Sequence, residues 1–329
     1  MNRKKAGIVM LCLLLVFVLG QFAGIREFVE GGGNNREGEQ DAFGDFADSR
    51  GEERLLAKIT EEAAKRRIEP VDAVVDRVWH AIPGYNGREV DIQGTFQKAR
   101  LKPEGAEIEY VYKEIKPKVN LDDLGAHPVY RGNPNKPMVA FMINVAWGNE
   151  YIVPMLDTLD EAKVKATFFF DGSWLKKNAD LAKEIQKRGH QLENHAYSHP
   201  NMSQLEDSRA RLEISKTKDL LKETLGVENR WFAPPSGDFD DRTVTLAAEQ
   251  GLKTVLWTVD TVDWRNPPAD TVINRISSKV GPGSLILMHP TASSRDALKG
   301  MVKVIRSKGL QLGTVDETLS PDRVDVPQS

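Results

Sequence analysis

Two histidines stand four residues apart in His195-Ala-Tyr-Ser-His199. A third ends the apolar run Leu285-Ile-Leu-Met-His289, and a Pro234-Pro235-Ser236-Gly237 turn lies between them. Two imidazoles at this spacing can close on one ion from a single turn of backbone, and the spacing recurs in zinc sites. By itself the pair is a weak signal, because most histidines are surface-exposed or hydrogen-bonded in a core. Its surroundings strengthen it. The run Lys253–Val259 has strand character and delivers Asp260, Asp263 and Trp264, and Ser284–Met288 delivers His289. Titratable residues just past buried apolar strands suit an α/β active site, because the strand fixes the backbone while the side chain enters the mouth. At a single strand end Asp260 or Asp263 would read as a turn cap. Several such ends in one chain favour a site.

Four motifs follow one another in order. They are His-x-x-x-His-Pro at His195, His199 and Pro200; Phe-x-Pro-Pro-x-Gly at Phe232, Pro234, Pro235 and Gly237; Trp-x-x-Asp-x-x-Asp-Trp from Trp257 to Trp264; and Leu-x-His at Leu287 and His289. Val164–Gly172 adds a run like a second strand. With these residues the stretch from about Lys136 to Leu319 resembles the polysaccharide deacetylases, the NodB-homology carbohydrate esterases that remove acetyl groups from N-acetylated sugars. The resemblance implies a distorted, incompletely closed (β/α) barrel with its site at the carboxyl ends of the strands. It implies zinc or another divalent metal on His195 and His199. His289 would be the proton donor tuned by Asp263, and the turn of Pro235, Ser236 and Gly237 would face a developing oxyanion. Trp264 would wall the acetyl pocket.

The first motif departs from the family. There Thr-Phe-Asp-Asp-Gly ends the first strand, its first aspartate the general base and its second a metal ligand. The register of Val139–Trp147 puts Asn144 in the base slot and Val145 in the third ligand slot, which leaves the presence of a metal open. A carboxamide cannot take a proton from water near neutral pH, and an isopropyl group cannot ligate zinc. Ala233 also stands where the family carries an arginine paired with the base. General-base catalysis contributes on the order of a hundred- to ten-thousand-fold and metal polarisation several kcal/mol more. Losing both leaves little turnover. Two carboxylates lie near enough in sequence to substitute, Asp171 after the second strand and Glu150 after the first; a helix cap and a solvated loop charge are the plainer readings of them. Trp147 suits stacking on a pyranose, although no motif assigns it that role, and Trp257 within its strand suits the core.

Two functions remain. The chain is a deacetylase-like protein that binds N-acetylated cell-wall glycan with impaired chemistry, or it is an active zinc-dependent N-deacetylase with a replacement base and ligand. Its formal net charge of −3 offers no general attraction to nucleic acid, and no phosphate-binding glycine loop is present.

Arg3-Lys4-Lys5 precedes an uncharged apolar run from Ala6 to Gly20. This fits an export signal over residues 1–24, either removed or kept as a membrane anchor. The run is short for a membrane-spanning helix. The lone Cys12 lies within it, so no disulfide forms inside the chain. Residues 25–51 are rich in Gly, Asn, Asp and Glu and read as a flexible tether. Residues 52–126 read as a small α+β domain of unknown role, with helices over Leu55–Ile68 and Val71–Ala81 and strands over Glu89–Gln93 and Ala106–Ile115. From 136 to 320, strand and helix alternate, which requires parallel strands covered by helices.

Overall fold

The computed structural model describes residues 41–103 and 105–324. The expected export segment and the first part of the expected tether lie outside the described residues. Residues 41–51 belong to a helix, α1 (Asp41–Lys65). Among the described residues no helix is long and apolar enough to cross a membrane.

The chain divides into two compact units. One contains Ile92–Glu109 and the described residues up to Glu62; the other contains Ala63–Asp91 and everything from Tyr110. In the first, α2 (Ile92–Ala99) is tied to the following loop by Glu109, which pairs with Lys98 and Lys102. The second unit opens with a small antiparallel hairpin, β1 (Val74–Asp76) with β2 (His80–Ile82), and an antiparallel pair, β3 (Gly87–Val90) with β4 (Tyr112–Ile115). The first hairpin replaces the helix expected over Val71–Ala81. Val74, Val75 and Val78 are β-branched and stay largely exposed, so no buried helical face exists to favour a helix, and His80 turns the chain at φ 53°. Strand β4 is shorter than the expected Ala106–Ile115. Tyr110 and Tyr112 carry the guanidinium groups of Arg66 and Arg88 at 4.2 and 4.4 Å, which is a packing role.

The expected α/β architecture follows. Strands β5 (Met138–Val145), β6 (Thr167–Phe170), β7 (Gln191–Asn194), β8 (Trp231–Phe232), β9 (Lys253–Thr254), β10 (Val259–Asp260) and β11 (Leu285–Met288) form a parallel sheet in the order β10-β11-β5-β6-β7-β8-β9. A last strand, β12 (Gln311–Gly313), also pairs with β5. The sheet curls into a partial barrel. The segment before β5 bonds beside both edge strands: Val129 bonds Thr254 and Leu256 at β9, and the Tyr130 carbonyl accepts the Thr258 hydroxyl at 2.8 Å just before β10. The single strand expected over Lys253–Val259 is broken into β9 and β10, with Trp257 between them.

Helices α3 (Asn149–Glu161), α4 (Gly172–Lys177), α5 (Ala179–Lys187), α6 (Asp207–Leu225), α7 (Asp241–Ala248), α8 (Ala269–Lys279), α9 (Ala292–Ser307) and α10 (Val315–Leu319) alternate with the strands. β5 is buried along its whole length and sorts its side chains by parity. Val139, Phe141, Ile143 and Val145 join the apolar layer that includes Ile152, Leu156 and Phe170, whereas Ala140 and Met142 join a separate cluster with Phe169, Trp231 and Leu285. Within the barrel the Glu193 carboxylate accepts the amides of Arg230 and Trp231 and so fixes the start of β8.

His190, just before β7, is buried against Phe168, and its Nδ1 accepts the Ala166 amide at 3.1 Å. Burial, aided by the nearby Lys165, pushes its pKa down to about 4. The unfolded chain therefore takes up a proton below about pH 6.5 that the native state refuses, and stability falls as pH drops from there toward the folded value. His190→Gln should reduce the acid-induced loss of stability between pH 6.5 and 4 by roughly 2 kcal/mol, read from urea unfolding at both pH values. An identical pH slope in the variant would contradict this account.

Candidate active site

Each chemically capable side chain enters the mouth from the carboxyl end of a strand. Asn144 comes from β5, His195 and His199 from the loop after β7, Ser236 from the turn after β8, Asp260 from β10 and His289 from the end of β11. With Trp147, Trp257, Trp264 and Leu287 they line one cavity of about 420 Å³. Asp263 stands behind His289. Pro235 and Gly237 shape the Ser236 turn, in which the Gly237 amide donates to the Pro234 carbonyl at 3.0 Å. Val145 does not line the cavity. Its side chain is wholly buried in the helix-facing apolar layer.

His195 is 1% exposed, and its Nδ1 lies 2.7 Å from the Ala233 carbonyl. A carbonyl only accepts, so Nδ1 carries the hydrogen and Nε2 keeps its lone pair. Burial, with His199 beside it, pushes the His195 pKa down to about 3, so the ring is neutral at physiological pH. His199 meets it edge-on, with ring centroids 5.1 Å apart. The loop that carries the pair is fixed by Glu213 of α6. Its buried carboxylate accepts the amides of Tyr197 and Ser198 at 3.1 and 2.7 Å and the Ser198 hydroxyl at 2.9 Å. The Arg209 guanidinium lies 2.7 Å from it. Sequence reading missed Glu213, because an acidic residue on a helix carries no local signal of what it reaches.

His289 and Asp263 form a tight dyad. The fully buried carboxylate accepts the His289 Nδ1–H at 2.9 Å, the His289 amide at 2.6 Å and the Ser294 hydroxyl at 2.5 Å. Burial pushes this carboxyl upward, but the His289 and Ser294 bonds outweigh it and hold it below the usual carboxylate range. His289 is thereby oriented with Nε2 as its remaining proton-exchanging atom. Asp260 is a turn cap and more: its Oδ1 accepts the Val262 amide at 2.7 Å while the residue lines the cavity.

Backbone strain gathers here. Among the described residues seven non-glycines have positive φ, and four of them, Ala196, His199, Ser236 and Val262, belong to the loops that build this mouth. For the β-branched Val262, at φ 57°, the conformation is costly and directly precedes Asp263.

The two candidate substitute carboxylates differ. Glu150 is exposed in the first turn of α3 and does not line the cavity. Asp171 caps α4, with Oδ1 accepting the Trp174 amide at 2.8 Å and the Ser173 hydroxyl at 2.6 Å, while Oδ2 is buried without a partner. Burial raises its carboxyl above the usual range. Among the described residues no three His, Cys, Asp or Glu side chains converge closely enough to hold a metal ion. With no third such donor converging on the two imidazoles among the described residues, the donor set does not fit a resident zinc.

The sequence model of the polysaccharide deacetylase family matches residues 131–255. The wild-type Bacillus anthracis protein BA3943, a CE4 family pseudoenzyme, superimposes with a TM-score of 0.76 at 40% identity, covering 83% of this chain and 97% of that one. The chain belongs to the polysaccharide deacetylase family. It is also 44% identical over 270 residues to the Bacillus subtilis "Uncharacterized protein YlxY", covering 82% of this chain and 85% of that protein. A peptidoglycan-N-acetylglucosamine deacetylase of Bacillus cereus is 35% identical over 191 residues, 56% of this chain and 70% of the enzyme. Deacetylases of this family are generally metal-dependent, which gives the altered donor set its significance.

Since Asp263 gathers four donors, with the Thr291 hydroxyl at 3.3 Å as the fourth, Asp263→Asn leaves buried donors facing an amide nitrogen. The variant should lose about 3 kcal/mol in chemical unfolding. A loss below about 1 kcal/mol would show that the dyad does not organise the mouth.

Proposed function

We propose that this is an exported polysaccharide deacetylase-like protein that holds N-acetylated cell-wall glycan in its groove, its own deacetylation impaired by Asn144, Val145 and Ala233. The observation that carries the reading is the carboxyl end of β5. It supplies a carboxamide where the family has its base, and Val145 packs away from the cavity where the family has a metal-binding carboxylate. The absent arginine fits the same reading, because a guanidinium beside a neutral asparagine would be buried unpaired. His195, His199, Asp263, His289 and the strained turns keep the form of a site that the missing groups no longer complete.

The likeness to peptidoglycan deacetylases supports action outside the cytoplasm on cell-wall glycan. The basic residues and apolar run at the amino terminus support export, with the segment either cleaved or kept as an anchor. A BA3943 mutant described as a pseudoenzyme "with restored enzymatic activity" superimposes on this chain at 39% identity and a TM-score of 0.76, which supports a scaffold from which chemistry can be lost and regained.

Acetate release from N-acetylated peptidoglycan fragments, with added zinc or with chelator, tests the proposal. The protein should release none, and the triple variant Asn144→Asp, Val145→Asp, Ala233→Arg should gain zinc-dependent release. Zinc-dependent turnover by the parent, abolished by His195→Ala, would overturn the impairment.

A second reading has one observation in its favour. The Oδ2 of Asp171, at the residue that follows β6, is buried without a partner, which leaves this carboxylate a free acceptor should its side chain turn toward the histidine pair. In that case Asp171→Ala should abolish zinc binding measured by titration calorimetry. Unchanged zinc affinity would remove Asp171 from the site.

A further inference from the structure

A second cavity lies at the other end of the sheet from the mouth. It measures about 580 Å³ and sits at the amino ends of β8 and β9, between α7 and the turn that precedes β5, wholly within the second unit. We infer that it is a binding site for a small carboxylate with a short apolar body, of the kind a peptide ending in alanine presents, gripped by Arg230 and Lys253. The inference stands apart from the glycan reading of the mouth.

Arg230 directly precedes β8 and Lys253 opens β9, and the two strands are in register there, Trp231 opposite Lys253. The Arg230 amide is fixed by Glu193 at 2.9 Å, so the backbone that carries the guanidinium is held. Both cations reach the same oxygen. Asp122 Oδ1, on the short turn Leu121–Leu124, lies 3.3 Å from Arg230 Nη2 and 3.1 Å from Lys253 Nζ. Burial pushes the Asp122 carboxyl upward, but these two cations outweigh it and hold it below the usual range, so it is ionised at neutral pH. Two cations thus share one carboxylate, and the cluster is left with a single positive charge in excess beside the cavity.

A clamp for the fold would not look like this. The Asp122 side chain is 67% exposed and that of Arg230 50%, and ion pairs so wet contribute little to folding. Arg230 commits only Nη2 to Asp122; its Nε and Nη1 have no hydrogen-bond partner among the described residues. That leaves part of a planar fork suited to a second carboxylate, with Lys253 as the adjoining point charge. The excess of one charge matches a monoanion, whereas a phosphate dianion would overshoot it. Beside the cations the wall is made of small residues, Gly125, Ala126, Ala248 and Gly251, which offer backbone and methyl surface and no large side chain to fill the space. A Cβ built on Gly125 would meet nothing within 4 Å. The volume is that of an ordinary small-ligand site, and such a wall suits a body no bulkier than alanine.

Ligand-observed NMR titrations of the full-length chain test this at low ionic strength, where surface charges are little screened. The probes are N-acetyl-alanyl-alanine, its C-terminal amide, propionate and inorganic phosphate. The dipeptide acid should bind at least tenfold more tightly than its amide. Arg230→Gln and Lys253→Gln should each weaken it about tenfold, with Arg230→Lys between wild type and Arg230→Gln, and Asp122→Asn, which removes the competing carboxylate, should tighten it severalfold. Propionate binding as tightly as the dipeptide would support the site and assign it to free acids; a tighter dipeptide would assign it to peptide termini. Equal affinity for acid and amide, tighter binding of phosphate, or unchanged binding in natively folded Arg230→Gln and Lys253→Gln would each overturn the inference. So would the absence of binding by any probe.

Discussion

The alternation of side chains along β5 is the constraint on which the rest of the structure depends. This strand is central, with β6, β11 and β12 all bonded to it, and it is buried from end to end. Successive residues must face opposite layers, so Asn144 reaches the mouth and Val145 completes the helix-facing core. Both faces are packed, and a one-residue slip would exchange them and expel an apolar row. The identities at these two positions therefore set both the chemistry of the mouth and the packing behind it.

Around that strand the mouth is built at a cost that a mere packing domain would not carry. Val262, Ser236, His199 and Ala196 hold positive φ, and the Asp263 carboxylate is buried among four donors. Glu213, the Ala233 carbonyl and Asp263 each fix one of the histidine-bearing segments. Such strain persists where surrounding structure over-determines it, and it clusters at functional sites. Its presence beside the Asn144 carboxamide supports the proposal of a groove retained to bind.

Much of this was legible in the chain itself. Residues at strand ends are readable because an apolar run followed by a titratable residue is a local pattern, and the four motifs name His195, His199, Asp263, Trp264 and His289 in register. The alternation of strands and helices beyond Met138 is equally local. What escaped was set by distant partners. Val71–Ala81 has apolar residues at helical spacing, but β-branching and the turn at His80 make it a hairpin. Glu213 reaches the histidine loop from the next helix, and Trp147 finds His289 only because Gly148 lies against Pro290. The last two contacts leave no mark in sequence.

The central claim, that the scaffold persists without its metal-binding chemistry, is tested most directly by crystals of the protein grown with excess zinc and measured at the zinc absorption edge. The account predicts no anomalous peak between His195 and His199. A full-occupancy peak there, coordinated by both imidazoles and a carboxylate, would contradict it.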